Sequence, residues 1–180
     1  DGTVQTWADG EAKITAWATD ESARIDLNMA SEVLLKGLFQ NIGGLDAPSA
    51  DAVVASIKDW QDPDDLKRPN GAEEGDYRAA GKTYKPANAS FDTVGELARV
   101  LGVTPALVAR VADSVTVYSR QPGINPATAS RDVLLAIPNM TPEAVDAYLE
   151  QRKEALANKL PVPPLPQAQG FASGAVPIYR

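Results

Sequence analysis

The chain contains no cysteine and no histidine among its 180 residues. Without cysteine there can be no disulfide scaffold, no thiolate zinc site and no thiol nucleophile. Without histidine there can be no Ser-His-Asp triad and no histidine-ligated metal, and the commonest general base is missing. The composition therefore argues against a conventional hydrolase or metalloenzyme, and we expect a protein that is not an enzyme.

The sequence also lacks long apolar runs and an excess of basic residues. No segment approaches the roughly 18 apolar residues that a membrane-spanning helix needs. The chain opens Asp-Gly-Thr-Val, without the basic start and apolar stretch of a signal peptide, so we expect a piece from which any targeting segment has been left off. A formal net charge of -7 disfavours nucleic acid and anionic lipid as partners.

What the sequence does contain is a helical middle between two β-like ends. Apolar residues at helical spacing predict helices over 31–40, 48–60, 93–101, 104–111, 129–137 and 144–156, with Asn28 as a good N-cap ahead of the first. Alternation of apolar and polar residues predicts a strand in the first 19 residues, and 115–118 is β-prone. Near the C-terminus, 161–166 is proline-rich and predicted to be extended, and 175–180 resembles the start of a strand. This pattern favours a helical domain inserted into a β element, the alternative being a helical domain with flexible tails.

Three stretches, 30–60, 93–111 and 128–152, share a helix, tight turn and second helix, as in helix-hairpin-helix units. In DNA-binding examples the turn offers backbone N–H groups to phosphate and basic residues flank it. Here Asp46, Asp51 and Glu143 follow the turns instead. We therefore interpret the units as packing elements, with a nucleic-acid-binding module as the alternative function.

A long segment, 59–89, has almost no apolar periodicity and is predicted to be a loop. Its first part holds seven carboxylates in nineteen residues, DWQDPDDLKRPNGAEEGDY. Asp62, Asp64 and Glu73 stand at relative positions 1, 3 and 12, as three ligands do in an EF-hand, but Leu66 and Lys67 break that motif.

Two interpretations of this loop stay open on the residues alone. Carboxylates this close repel one another unless they are solvated or neutralised, and a calcium ion takes six to eight hard oxygens from a flexible loop. Binding would also offset the entropy of ordering about thirty residues. A solvated acidic loop is the alternative, and a glycosidase-like carboxylate pair lacks aromatic sugar platforms.

Seven blocks in a fixed order resemble a known family. They are DESARIDLN at 20–28, DWQDPD at 59–64, NGAE at 70–73, YKPAN at 84–88, VGEL and VLGVT at 94–104, VTVY at 115–118 and INPATA at 124–129. Together they are similar to the minor pseudopilin K of type II secretion, the general secretion pathway protein K family, from about residue 11 to 152.

The resemblance implies a mainly α fold in which a helical domain is inserted into a pseudopilin α/β sheet that this chain holds only in part. It implies a pseudopilin strand segment over 1–24, an inserted helical domain over 25–160 with the acidic loop 59–89, and a proline-rich linker and returning strand over 161–180. It also implies a structural calcium ion in the inserted domain. Carried over by position, the metal ligands are expected among seven carboxylates: Asp59, Asp62, Asp64, Asp65, Glu73, Glu74 and Asp76.

The same resemblance implies a function and a location. Family members cap the tip of the periplasmic pseudopilus, together with minor pseudopilins of the I and J types, in export across the outer membrane of Gram-negative bacteria. The major pseudopilin and secreted proteins are further expected partners, and nucleic acid is not. Anchoring in the inner membrane would come through an N-terminal helix that this sequence does not include.

Overall fold

The computed structural model describes residues 4–10, 12–16 and 18–173 and is mostly helical with a few short strands, as predicted. Its helices are Glu32–Asn41 (α1), Ala47–Gln61 (α2), Glu74–Ala79 (α3), Pro105–Val111 (α4), Arg131–Leu135 (α5) and Pro142–Ala157 (α6). Its strands are Gln5–Asp9 (β1), Ala12–Ala16 (β2), Ile25–Asp26 (β3) and Val115–Thr116 (β4). In the part of the chain that is described, no helix is both long and apolar enough to traverse a bilayer.

The N-terminal strand prediction resolves into a hairpin. β1 and β2 pair antiparallel, with Trp7 opposite Ile14, across a turn in which Gly10 has φ +60°. Glycine adopts this left-handed conformation without a steric penalty. Every residue of both strands is exposed. The strand expected over 175–180 lies outside the described residues.

The first helical pair, α1 and α2, forms close to its predicted bounds, but the expected N-cap was wrong. Ser31 caps α1, because its side chain accepts a hydrogen bond from the backbone of Leu34. The amide of Asn28 instead bonds both backbone groups of Phe91, accepting from its N–H at 2.8 Å and donating to its carbonyl at 3.0 Å. Asn28 thus joins α1 to a segment 63 residues further on.

The segment 59–89 was predicted as a loop throughout, and this is corrected by the short helix α3. Tyr77 on α3 is fully buried and its ring centroid lies 6.2 Å from that of Trp60 at the end of α2. The ring of Phe91 lies nearly parallel to that of Trp60, with the centroids 6.1 Å apart. The helix predicted over 93–101 is a 3-10 helix, Val94–Arg99. These aromatic contacts fasten the middle of the segment, at Tyr77, and the chain just beyond it, at Phe91, to the end of α2.

The α1–α2 and α5–α6 pairs pack together through an unusually close crossing. Gly37 in the middle of α1 faces the carbonyl of Ala136 just after α5, and a Cβ at Gly37 would lie 2.0 Å from that oxygen. α5 itself is shorter than the predicted 129–137. Around this crossing lies the apolar core, which includes Leu34, Leu38 and Ile137, each with 0% exposure.

A buried polar seam connects the start of the chain to its second half. β3 pairs in parallel with β4, and three buried carboxylates flank this pairing: Asp20, Glu21 and Asp26. Asp20 accepts from Thr128 Oγ1 at 2.6 Å and from Asn125 Nδ2 at 3.1 Å. Burial raises the pKa of Asp20, but the hydrogen bonds from Ser22, Thr128 and Asn125 outweigh it and leave the pKa below its usual value. Asp20 is thus satisfied by neutral donors, and Glu21 accepts from Thr116 Oγ1 and lies 3.8 Å from the guanidinium of Arg24.

Candidate metal centre

The last turn of α2 presents Asp59 in a fully buried position. Its two carboxylate oxygens each accept a hydrogen bond from the backbone N–H of Arg68 at 3.3 Å. The returning loop approaches so closely that a Cβ at Gly71 would lie 2.0 Å from Asp59 Oδ2. Burial, the larger cause, raises the pKa of Asp59 above its usual value, since it penalises the ionised form.

Asp62 is the C-cap of α2, where Pro63 prevents the helix from continuing. Its Oδ2 atom lies 3.6 Å from the Nε of Arg68. Its Oδ1 atom is buried and accepts no hydrogen bond from any described residue. One oxygen of Asp62 is therefore available to a cation.

Glu73 immediately precedes α3 and is 7% exposed. Both of its carboxylate oxygens are buried and lack a hydrogen-bond partner among the residues described. Burial, followed by repulsion from Asp59, Asp62, Asp65 and Asp64, raises the pKa of Glu73 to about 7. Near neutral pH, ionisation of this carboxyl group is therefore costly unless a proton or a positive ion neutralises its charge.

We call Asp59, Asp62, Asp64, Asp65 and Glu73 the acidic cluster, since the other four all act electrostatically on Glu73. Asp64 and Asp65 are exposed. Asp64 Oδ1 accepts from the backbone N–H of Leu66 at 2.8 Å, and Asp65 Oδ1 lies 3.5 Å from Asn88 Nδ2. These two side chains contribute charge to the cluster from its solvent side.

The remaining two predicted ligands are paired with other groups. Glu74 forms ion pairs with Arg78 and with Lys85, the latter at 3.7 Å. Asp76 Oδ1 pairs with Lys67 Nζ at 2.6 Å, and Asp76 Oδ2 accepts from the backbone N–H of Glu73 at 3.0 Å. Lys67 and that N–H both lower the pKa of Asp76. Asp76 thus helps to begin α3.

Asn88 contacts the acidic cluster, although it was not among the predicted ligands. Its Nδ2 atom donates to the backbone carbonyl of Asp64 at 3.4 Å, while its Oδ1 atom is buried and has no partner in the described chain. Its backbone is left-handed, with φ +48°, a conformation that asparagine tolerates. The only sequence signal was its place at the end of the YKPAN block.

The donor set fits a hard cation. Four buried oxygens without partners belong to three side chains here, Asp62, Glu73 and Asn88, and all are of the carboxylate or amide type that calcium prefers. Over the described residues, no three acidic side chains converge as metal ligands. The fit therefore depends on the unpartnered oxygens and on the raised pKa of Glu73 rather than on a finished coordination shell.

The helix-hairpin turns offer little to a phosphate. In the turn between α1 and α2, Arg110 donates to the carbonyl of Gly43 at 2.9 Å. Asp46 caps α2 by accepting from the backbone of Ser49 at 2.8 Å. That carboxylate lies where a DNA-binding unit would present free N–H groups. The geometry gives no support to the nucleic-acid alternative.

Comparisons with known proteins agree with one another. The family model described as "Type II secretion system (T2SS), protein K" matches residues 15–122. The type II secretion system protein K of Pectobacterium carotovorum subsp. carotovorum is 32% identical over 74 residues, which are 41% of this chain and 22% of that protein. This match spans about a fifth of the curated relative's length.

A solved structure is similar in fold. A chain in the crystal structure of the GspK-GspI-GspJ complex from the enterotoxigenic Escherichia coli type 2 secretion system matches with a TM-score of 0.66. The match covers 88% of this chain and 57% of that chain at 19% sequence identity. This chain therefore spans a little more than half of the length of that solved chain.

Proposed function

Because the chain belongs to the type II secretion system protein K family, we propose that it acts as a minor pseudopilin at the tip of the type II secretion pseudopilus. The family consists of structural pseudopilins and not of enzymes. The observation that carries the proposal is the family match over 15–122, which spans the acidic cluster. The partners proposed are minor pseudopilins of the I and J types, as in the solved complex, together with the major pseudopilin and exported proteins.

We further propose that the helical body, 25–160, is inserted into a pseudopilin sheet to which the β1–β2 hairpin contributes, with the end of the segment 161–180 returning to it. Leu165 and Ala168 of that segment pack in the apolar core of the body. The support is the exposure of the hairpin. Trp7 and Ile14 face each other across the strands and are 50% and 57% exposed. Apolar side chains left in solvent on a strand pair are typical of a surface that another element covers. The location proposed is the periplasm, with the anchoring helix outside this chain.

The third part of the proposal is a structural calcium ion held by the acidic cluster and Asn88. Such an ion would supply charge neutralisation and hard-oxygen coordination. Asp62, Glu73 and Asn88 would hold it with their unpartnered oxygens, and Asp59, Asp64 and Asp65 would add negative charge. By balancing the carboxylates, the ion would fasten the end of α2 to the start of α3.

One experiment tests the metal and the assembly together. The chain would be melted in calcium and in chelator, and in each condition mixed with I-type and J-type periplasmic domains on a sizing column. An ion at 100 times its Kd adds about 2.7 kcal/mol, which raises the melting temperature by several degrees. We expect that shift to disappear in Asp62→Ala and Asn88→Ala and to persist in the control Glu74→Ala, whose carboxylate is paired with Arg78.

The two readouts separate the parts of the proposal. Co-elution with both partner domains supports the tip assembly whether or not calcium binds. A chain that stays alone on the column in both conditions would contradict the assembly. An identical melting temperature in calcium and in chelator would remove the metal from the proposal and leave the rest standing.

A further inference from the structure

Arg68 lies against the acidic cluster and is not one of the groups that could ligate a cation. Its Nε atom is 3.5 Å from Asp59 Oδ1 and 3.6 Å from Asp62 Oδ2. Its Nη1 atom is 3.2 Å from Glu32 Oε1 in the first turn of α1. One guanidinium group thus touches three carboxylates, two of them in the cluster.

We propose that Arg68 is the resident counter-cation of the acidic cluster and that its charge limits how tightly the cluster binds calcium. This inference rests on the calcium site of the proposed function. It states that Arg68, which is not a ligand, controls the affinity of that site for calcium.

The division of oxygens within the cluster supports this role. Asp62 turns Oδ2 toward Arg68 and leaves Oδ1 without a partner in the described part of the chain. Glu73 is only 7% exposed, and neither of its oxygens accepts a hydrogen bond from a described residue. Arg68 therefore neutralises one side of the cluster, and a divalent ion would be attracted to the other.

Two cations sharing Asp59 and Asp62 oppose each other. Unlike charges about 4 Å apart in a partly buried site attract each other, and like charges at that distance repel on the same scale. Arg68 therefore stabilises the cluster before an ion binds and repels the ion when it arrives. The Arg68 side chain is 43% exposed and already contacts Glu32. It therefore has room to move away from the cluster while keeping its ion pair with Glu32.

The test measures calcium affinity and metal-free stability in the same variants. Calcium would be titrated calorimetrically into the wild-type chain, Arg68→Gln and Arg68→Lys, and each would be melted in chelator. Arg78→Gln is the matched control, since it removes the same charge from a residue that pairs with Glu74. The backbone N–H that Arg68 donates to Asp59 is retained in every variant.

We expect Arg68→Gln to bind calcium about tenfold more tightly than the wild-type chain while melting lower in chelator. Arg68→Lys keeps the charge and is expected to stay close to wild type in both measurements, as is Arg78→Gln. Opposite changes in affinity and stability are the signature, because loss of a purely structural contact would weaken both.

The failures are distinguishable. Unchanged or weaker calcium binding by Arg68→Gln, beside a wild-type chain that binds, would overturn the counter-cation role alone. A wild-type chain that takes up no calcium would overturn the proposed site and this inference with it, and the partner experiment above would still judge the assembly.

Discussion

At the scale of the residue, Glu73 is the group whose charge is most at odds with its surroundings. Its pKa is raised to about 7 in the folded chain, from an ordinary value of 4.5. Between these two values the folded chain keeps a proton that the unfolded chain has lost. Without metal, the stability that this group contributes is therefore complete below pH 4.5 and declines as pH rises to about 7.

The prediction is that Glu73→Gln stabilises the metal-free chain at pH 8 and not at pH 4.5. The shift corresponds to a gain of roughly 3 kcal/mol at most, and the neutral amide avoids the repulsion from the four aspartates. Melting in chelator across this pH range measures it, as the difference between variant and wild type at each pH. An equal difference at pH 4.5 and pH 8 would contradict the raised pKa.

At the scale of the element, the crossing of α1 with the end of α5 depends on the missing side chain of Gly37. Alanine is normally favoured over glycine inside a helix by about 1 kcal/mol. Here the added Cβ would meet the Ala136 carbonyl oxygen at 2.0 Å, so the helices would have to separate.

We therefore expect Gly37→Ala to destabilise the chain by about 1–3 kcal/mol, the usual cost of overpacking a tight contact. Gly75→Ala in α3 is the matched control, because its added Cβ would meet nothing within 4 Å. Its stability should be unchanged or up to about 1 kcal/mol higher. Chemical denaturation of both variants measures this, and equal effects at the two positions would show that the helix crossing tolerates a side chain.

Elements with a strong local signal were predictable, and those created by distant contacts were not. α1, α2, α4 and α6 follow from apolar periodicity. α3 has six residues and buries one of them, Tyr77, which is too little for a periodic pattern. β3 exists because Ile25 and Asp26 pair with residues 90 positions later. The expected cap at Asn28 failed for the same reason, since its partner is Phe91.

The candidate site was predictable in its charge but not in its boundaries. The density of carboxylates after α2 pointed to the right segment, and Asp62 and Glu73 present the unpartnered oxygens there. Spacing could not show that Glu74 is turned toward Arg78, because that depends on where α3 begins. Nor could it place Asn88 and Arg68, which reach the cluster when the segment folds back on α2.

At the scale of the whole molecule, the β1–β2 hairpin and the buried segment that follows it contribute unequally to the stability of the fold. Every residue of strands β1 and β2 is exposed, whereas Asp20 and Glu21 are buried and bonded to residues around positions 116–128. Removing the hairpin uncovers little apolar surface. Removing Asp20 and Glu21 leaves buried donors without acceptors, which costs about 1–3 kcal/mol for each group.

We expect a chain beginning at Ala18 to melt within about 2 °C of the full chain. A chain beginning at Ile25 should melt more than about 5 °C lower, because Asn125, Thr128 and Thr116 lose their carboxylate partners. Differential scanning calorimetry of the three chains measures both changes. Equal losses in the two truncated chains would show that the hairpin, and not the buried seam, stabilises the N-terminal part.

The buried seam also sets an order in time. Asp20 and Thr128 are 108 residues apart, and the β3–β4 pairing joins residues 90 positions apart. A chain emerging from a ribosome presents residues 20–26 long before their partners exist. Until β4 has been synthesised, Ile25 has no partner strand. Closing a loop over such a distance is also slow. Completion of this body is therefore a late event in its synthesis, because β3 has no partner until the segment after α4 has been made.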